Sequence, residues 1–474
     1  MKQLIVSGCL VLAFLSPVWS AENVLKWRGE NGGKFDLSLV QTSWSKTKNI
    51  KWKTPLPGTS NASPIIVGDK IFICSEPASI ICLDRNSGKI LWQKSHDYLD
   101  VMDLTNEQKK EIAERAEQNQ HLETEVGELE SKIRRVNRIL KRKPNDNEAK
   151  AEKLDLDKQI AEIKSKINDQ GLGDIPLKPK THKVNGYTSY TPVSDGKTVF
   201  VCSGLGTVAA YDLDGQRLWA KKLSIPDHNN WGGSTTPVLA GGNLIVRFKD
   251  WVGLDPETGQ EKWRTPAHQC FGTPLVFQVE GKDILFSPKG DVVGAADGKL
   301  YAQGVVGLAE NAWWVFNLPI LENGVIYTNY GVQNDPSMIK AFEVPKSLND
   351  LKSGLKLKWE FETERMRFYS SMIMDDGLLY ALGHEFALYV FDADNGDVIH
   401  QQKLEGFKGT AYPSMSLVGD YLFVSSDAGQ TQIIKPGKKL EVVTHNELEP
   451  FRSTPVFLGN AQYLRGYEHF YVIE

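Results

Sequence analysis

Apolar and polar positions alternate along most of this chain in short runs, and Gly, Asp, Asn and Ser break the runs at close intervals. Period-two alternation bounded by such residues is the pattern of half-buried strands joined by tight turns. The stretch Trp251–Trp263 shows the unit in full. Gly253-Leu254-Asp255 ends one strand, Pro256-Glu257-Thr258-Gly259 makes the turn, and Gln260 to Trp263 leaves it. Pro presets φ and Gly supplies positive φ, so the turn has a mechanism. The unit recurs with Asp84, Gly88 and Trp92, more loosely at Tyr211–Trp219, and again at Phe391–Asp397, where His400 takes the Trp place. Asp84, Gly88, Trp92, Trp219, Asp255, Gly259 and Trp263 are therefore assigned as structural repeat positions. Several such hairpins in one chain indicate a repeat protein.

A second marker precedes each hairpin: a small residue, usually followed by Pro, then an apolar strand. It occurs at Ser63-Pro64, Thr191-Pro192, Thr236-Pro237, Thr273-Pro274, Leu318-Pro319, Ser371-Met372, Ser414-Met415 and Thr454-Pro455. The second residues lie 128, 45, 37, 45, 53, 43 and 40 positions apart, and most of these intervals fit four-stranded propeller blades. The expected fold is all-β, an eight-bladed β-propeller over residues 42–97 and 187–474. Asn49–Leu56 has the character of an outer strand yet precedes the first inner strand, and Phe470–Glu474 ends one strand short of a blade. The two termini should therefore close the ring together and leave no open edge.

The long interval holds an insertion at about 98–186. Leu122, Val126, Leu129, Ile133, Val136 and Leu140 follow 4,3 spacing, as do Leu156, Ile160, Ile163 and Ile167, with Lys143–Asn147 between them. This predicts an antiparallel α-helical hairpin whose first helix of about 35 residues is roughly 50 Å long. Strand alternation puts its root on the face where the residues before each Ser/Thr-Pro marker also open. Near the tip, Arg134, Arg135, Arg138 and Arg142 lie among further lysines. They suit a helix C-terminus and are also candidates for an anionic partner or for self-association of the arm.

The Leu-Asp-x-x-Thr/Ser-Gly-x-x-x-Trp unit resembles the tryptophan-docking repeat of pyrroloquinoline-quinone (PQQ)-type β-propellers. That superfamily includes quinoprotein alcohol dehydrogenases and non-enzymatic members, such as the propeller lipoprotein of outer-membrane barrel assembly. The resemblance implies the fold and a Trp packed between neighbouring blades. For the enzymes it also implies a disulfide between adjacent cysteines beside the quinone, and Glu, Asn and a catalytic Asp around calcium. This chain has no adjacent cysteines, and no Glu/Asn/Asp set maps onto it residue by residue. No catalytic residue is assigned, no metal is expected, and PQQ with calcium remains the alternative. Trp27-Arg28-Gly29-Glu30-Asn31-Gly32-Gly33 resembles the segment that opens many exported PQQ-like propellers of planctomycete-type bacteria. It reads as a turn pinning the N-terminus (residues 21–41), or as a segment lining or plugging the propeller mouth.

Met1–Ser20 reads as a secretory signal, with Lys2, an apolar run from Leu4 to Leu15, and Val18-Trp19-Ser20 before Ala21. Cys9 in a lipobox-like setting is the alternative. The chain is thus expected in the periplasm or outside the cell, with no further transmembrane segment. A formal charge of -4 over 474 residues gives no bias toward nucleic acid. Cys74, Cys82, Cys202 and Cys270 read as buried small hydrophobes, with a Cys74–Cys82 bridge as the exported-protein alternative. What remains for function is the mouth. Residues leading into the inner strands are rich in aromatic and cationic groups, and Trp231, Trp313 (with Trp314), Arg367, Tyr369, Tyr412 and Arg452 are the ligand candidates, with His228, Asn230 and His268 nearby. Aromatic faces beside Arg suit a protein, peptide or glycan ligand. The expected function is a non-catalytic binding or scaffold protein of the cell envelope; a PQQ-dependent oxidoreductase and a barrel-assembly-like partner are the alternatives.

Overall fold

The structure is a computed structural model, and it describes residues 23–37, 39–168, 172, 175–179, 181–182, 184–224, 231–308, 315–332 and 335–474. The leader at 1–20 with Cys9, and also His228, Asn230, Trp313 and Trp314, lie outside the described residues.

The strands form eight antiparallel sheets of four, with a fifth short strand added to two of them. Blade 1 is typical: Ile65–Val67, Lys70–Ser75, Ser79–Asp84 and Ile90–Ser95 run from the axis outward. The two middle strands of a blade are buried on both faces, as Lys70–Ser75 and Ser79–Asp84 are here, while the outer strand is largely exposed. The core therefore lies between blades, in a ring of clusters around the axis. The seam closes as the alternation requires. Ile50–Pro55 is the outer strand of blade 8 and pairs antiparallel with His469–Ile473, the blade's third strand.

Two repeated devices join the blades. In the first, the outer-strand Trp lies on the turn glycine of the following blade, not on its own. Trp219 covers Gly259, where φ is +68° and an added Cβ would stand 2.6 Å from the indole, and its Nε1 donates to Pro256 O at 2.9 Å. Trp52 on Gly88, Trp92 on Gly215, Trp263 on Gly298 and Trp359 on Gly396 repeat the contact. Asp84 and Asp255 hold the turns themselves: Asp255 Oδ1 accepts from the Glu257 and Thr258 amides at 3.0 Å each. His400 makes no such contact and bonds Gln402 within its own strand.

The second device explains the Ser/Thr markers. The Ser63 amide donates to Thr191 Oγ1 at 3.0 Å, Ser371 to Ser414 Oγ at 3.0 Å, Ser414 to Thr454 Oγ1 at 3.1 Å and Thr454 to Ser63 Oγ at 2.9 Å. Thr236 to Thr273 and Leu318 to Ser371 follow the same rule. In these six blades the entry amide thus binds the hydroxyl of the next blade, which satisfies buried backbone at the axis. Leu318 has no hydroxyl to offer blade 4.

The insertion is the expected hairpin. After a short α1 (Tyr98–Val101), α2 (Asn106–Arg142) starts with a capping box at Thr105 and Gln108, and α3 (Asn147–Lys166) is capped by Asp146. Val126, Leu129 and Val136 pack on Leu156, Ile160 and Ile163. The root is a separate apolar cluster in which Tyr98, Ile112 and Ile175 meet Ala78 and Leu205 on turns of blades 1 and 2. No helix among the described residues is long and apolar enough to cross a membrane.

The cysteine alternative is corrected. Cys74 stands opposite Ile80 and Cys82 opposite Phe72, and both thiols are free and buried. Burial pushes each thiol up to about 12, so they act as small apolar groups.

Candidate functional site

The N-terminal segment builds the floor of the site. Asn23–Val24 pairs antiparallel with Val67–Ile66 of blade 1, and Lys34–Phe35 pairs parallel with Leu417–Val418 of blade 7. Between these pairings the chain enters the channel from the face opposite the arm and turns back. Arg28 lies at the turn, fully buried with φ +63°, and its Nη2 donates to Met372 O at 3.0 Å. Burial holds its guanidinium down at about 9. Leu25 O accepts from the Ser194 amide, and Lys34 lies 3.3 Å from Glu322. The segment is both a pinned turn and a plug, and Trp27 is its contribution to the cavity above.

That cavity, about 710 Å³, opens on the arm's face. Its wall is one repeat position, the residue two before each marker. Around the ring this position reads Asn61, Ser189, Ser234, Phe271, Phe316, Tyr369, Tyr412 and Arg452, all of which line the cavity. From blade 4 to blade 8 they stack in series. Ring centroids are 5.5 Å apart for Phe271–Phe316, 4.8 Å for Phe316–Tyr369 and 4.2 Å for Tyr369–Tyr412, and Arg452 caps Tyr412 at 4.1 Å. Burial and Tyr369 push the Tyr412 phenol well up. Arg367 Nη1 donates to Tyr369 Oη at 3.1 Å, and Arg452 Nη2 pairs with Asp427 at 2.9 Å.

In blades 1 to 3 the position is small and polar, and the arm's return leg fills the room. Asn61 Nδ2 donates to Val184 O at 2.7 Å, Ser189 Oγ to Asn185 O at 2.5 Å, and Arg452 Nη1 reaches Val184 O at 3.3 Å. Glu76, on a blade 1 turn, anchors the same leg by accepting from the Tyr187 and Thr188 amides at 2.8 Å each. Burial outweighs those bonds, so its carboxyl is raised. Trp231 stands at the rim, 53% exposed, with His182 stacked on it at 4.4 Å.

The structure thus gathers Trp231, Arg367, Tyr369, Tyr412 and Arg452 around one cavity. Tyr369 and Tyr412 are stacked face to face, so they present edges and hydroxyls to the cavity and not open faces. His268 is outside the lining and is bound to buried Asp291. Arg134, Arg135, Arg138 and Arg142 are exposed near the far end of α2, remote from the cavity. Sequence reasoning missed Phe271, Phe316 and the leg at His182, Val184 and Asn185, while Trp27 lies in the segment read as a turn or a mouth plug. The two phenylalanines were legible by aligning the eight markers; the floor and the leg carry no repeat signal.

The cofactor of the quinoprotein enzymes does not fit these residues. Among the described lining residues there is no carboxylate to hold calcium and no cysteine. One group of three metal-capable side chains, Glu449, Glu468 and His469, lies elsewhere among the described residues. Its Glu449 carboxylate already accepts from the Glu468 and His469 amides and from Tyr471 Oη, at 2.7 to 2.8 Å. Burial works to raise this carboxyl, yet those bonds and His469 leave it lowered.

A closed ring of eight blades around a plugged channel, with a cavity at one mouth, defines a propeller scaffold whose site is set by its loops. A family model described as outer membrane protein assembly factor BamB matches residues 10–94 and 178–307. BamB from Moraxella catarrhalis is similar in structure at TM-score 0.54 and 11% identity, over 90% of this chain and 99% of that one. A europium-containing methanol dehydrogenase is similar at TM-score 0.55 and 11% identity, over 93% and 89%. No curated protein matches the sequence. The fold is that of the PQQ-like β-propellers.

Proposed function

We propose that this chain is a non-catalytic binding protein of the cell envelope, exported to the periplasm or beyond, that takes a protein, peptide or glycan segment at its arm-side mouth. The observation that carries this reading is the cavity itself. It has a fixed floor at Trp27, a stacked wall from Phe271 to Arg452, and a rim Trp231 with one face free of His182. Rigid aromatic anchors with Arg at the edge are the composition of binding hot spots. Trp231, Arg367, Tyr369, Tyr412 and Arg452 are the proposed contacts, with Trp313 the candidate outside the described residues. The match to an assembly-factor family model favours a protein or peptide over a glycan. The described lining residues offer no carboxylate for calcium, which favours the binding reading over the oxidoreductase.

The test has two steps. Titration with PQQ and calcium, followed by Trp emission and thermal shift, should give no saturable response; a saturable one, lost in Trp231→Ala, would overturn the proposal. Peptide and oligosaccharide arrays should then give ligands whose binding falls roughly tenfold or more in Trp231→Ala and Arg367→Ala. Binding unchanged in both variants would remove the mouth as the site.

A further inference from the structure

The arm carries a charge pattern that the mouth does not use. Residues 106–130 of α2 hold eight acids and three bases, while 131–142 hold six bases and no acid. The seam residues fix which face is outward. Opposite the seam lie exposed Glu107, Glu114, Glu117 and Glu128 toward the disc, and exposed Arg134, Arg135, Arg138, Lys141 and Arg142 toward the tip. None of these five cations makes an ion pair among the described residues, whereas Lys164 of α3 does reach Glu130, at 3.3 Å.

Where the two halves meet, the same face is made of Thr124, Gly127 and Ser131, all exposed. A Cβ at Gly127 would meet nothing within 4 Å, so the monomer has no steric need for glycine there. Glycine in an exposed helix interior costs about 1 kcal/mol relative to Ala. Nearer the disc, Glu114, Glu117, Gln118, His121 and Leu122 line a shallow concavity.

We propose that α2 is a self-complementary docking surface: two copies lay their arms antiparallel about a two-fold axis near Thr124–Gly127, with the basic tip of each on the acidic root of the other. About that axis Arg134 falls opposite Glu117 and Arg138 opposite Glu114. The midpoint of the charge pattern coincides with the small residues that let two helix backbones approach. An isologous contact of this kind closes at two copies. Acids and bases share the face, so an arm lying flat on an anionic lipid surface would press its own carboxylates against like charge. A second copy offers both signs in the required order. The two mouths then face each other across about one helix length, roughly 55 Å.

The experiment is a charge swap read by sedimentation of the full-length protein. Wild type is expected to be a dimer at low ionic strength that dissociates as salt is raised. A tip variant (R134E, R138E, R142E) and a root variant (E107K, E114K, E117K) should each be monomeric, with the dissociation constant raised roughly a hundredfold. Mixed together, the two variants should form a heterodimer, since each tip then meets a root of opposite sign. All six positions are exposed, and unchanged helical circular dichroism verifies that the variants fold. A monomeric wild type, a tip variant that stays dimeric, or a mixture that stays monomeric would each overturn the proposal. So would a monomer that floats with phosphatidylserine vesicles through the same arginines, which would assign the tip to a lipid surface.

Discussion

The two halves of the mouth use one repeat position in opposite ways. In blades 4 to 8 it carries Phe271, Phe316, Tyr369, Tyr412 and Arg452, which stack on one another in series and make a continuous wall. In blades 1 to 3 it carries Asn61, Ser189 and Ser234, and two of these bind the backbone of the arm's return leg. A symmetric scaffold thus acquires an asymmetric site by a change of side-chain volume at equivalent places. The stacked half should be rigid, and the other should respond to whatever moves the arm.

Acid separates the halves most strongly. His96, buried where the chain leaves blade 1 for the arm, is pushed down to about 4 by burial, from 6.5. The unfolded chain therefore binds the extra proton between those values. Stability is full above about pH 6.5 and falls as pH drops toward 4, by about 3 kcal/mol in total. Hydrogen exchange should show residues 98–190 losing protection first, and His96→Leu should flatten the pH dependence. Uniform loss over all blades would mean that the halves are not distinct.

Arg452 is where the two halves touch, since it caps Tyr412, pairs with Asp427 and holds Val184 O. Arg452→Ala should lower stability by about 2 kcal/mol, through the unpaired Asp427 and the lost stacking. Denaturant unfolding measures it, and a change under about 0.5 kcal/mol would show the junction to be idle. Ser189→Tyr tests the small half by putting a ring where the leg lies. It should cost about 1.5 kcal/mol and make residues 179–186 open to protease, while the same probe leaves the stacked half intact. The smallest effect is expected at the axis. Ser414→Ala removes one acceptor from the hydroxyl ring and should cost about 1 kcal/mol, seen as a modest shift in melting temperature with the stacked wall intact.

Much of this was legible in the residues. The Asp-x-x-x-Gly hairpins and Ser/Thr-Pro markers give the blade count, because each carries a local backbone requirement that shows in one sequence. The heptad at Leu122–Leu140 gives the arm for the same reason. The partners of those motifs were not legible: Gly259 serves Trp219 of the preceding blade, and Ser414 serves Ser371, and such contacts across a blade boundary leave no local pattern. The floor was harder still. Asn23–Val24 and Lys34–Phe35 are strands of two residues each, too short for any period, and only the channel they enter gives them partners. Arg28 lies in the segment read as a turn or a mouth plug, and its complete burial is visible only in the structure.

The seam sets a condition on time as well as on shape. Ile50–Pro55 finds its partner at His469–Ile473, and Lys34–Phe35 finds its own at Leu417–Val418, so both strands wait for partners made much later in synthesis. Contacts of such sequence separation form late, after the entropy of closing the loop has been met. Until then the outer edge of blade 8 and the axial edge of blade 7 stand open to any strand that passes. A chain emerging from a ribosome or a translocation pore would spend its assembly time in that open state, and the interval before ring closure is when a chaperone or a protease would have most to act on.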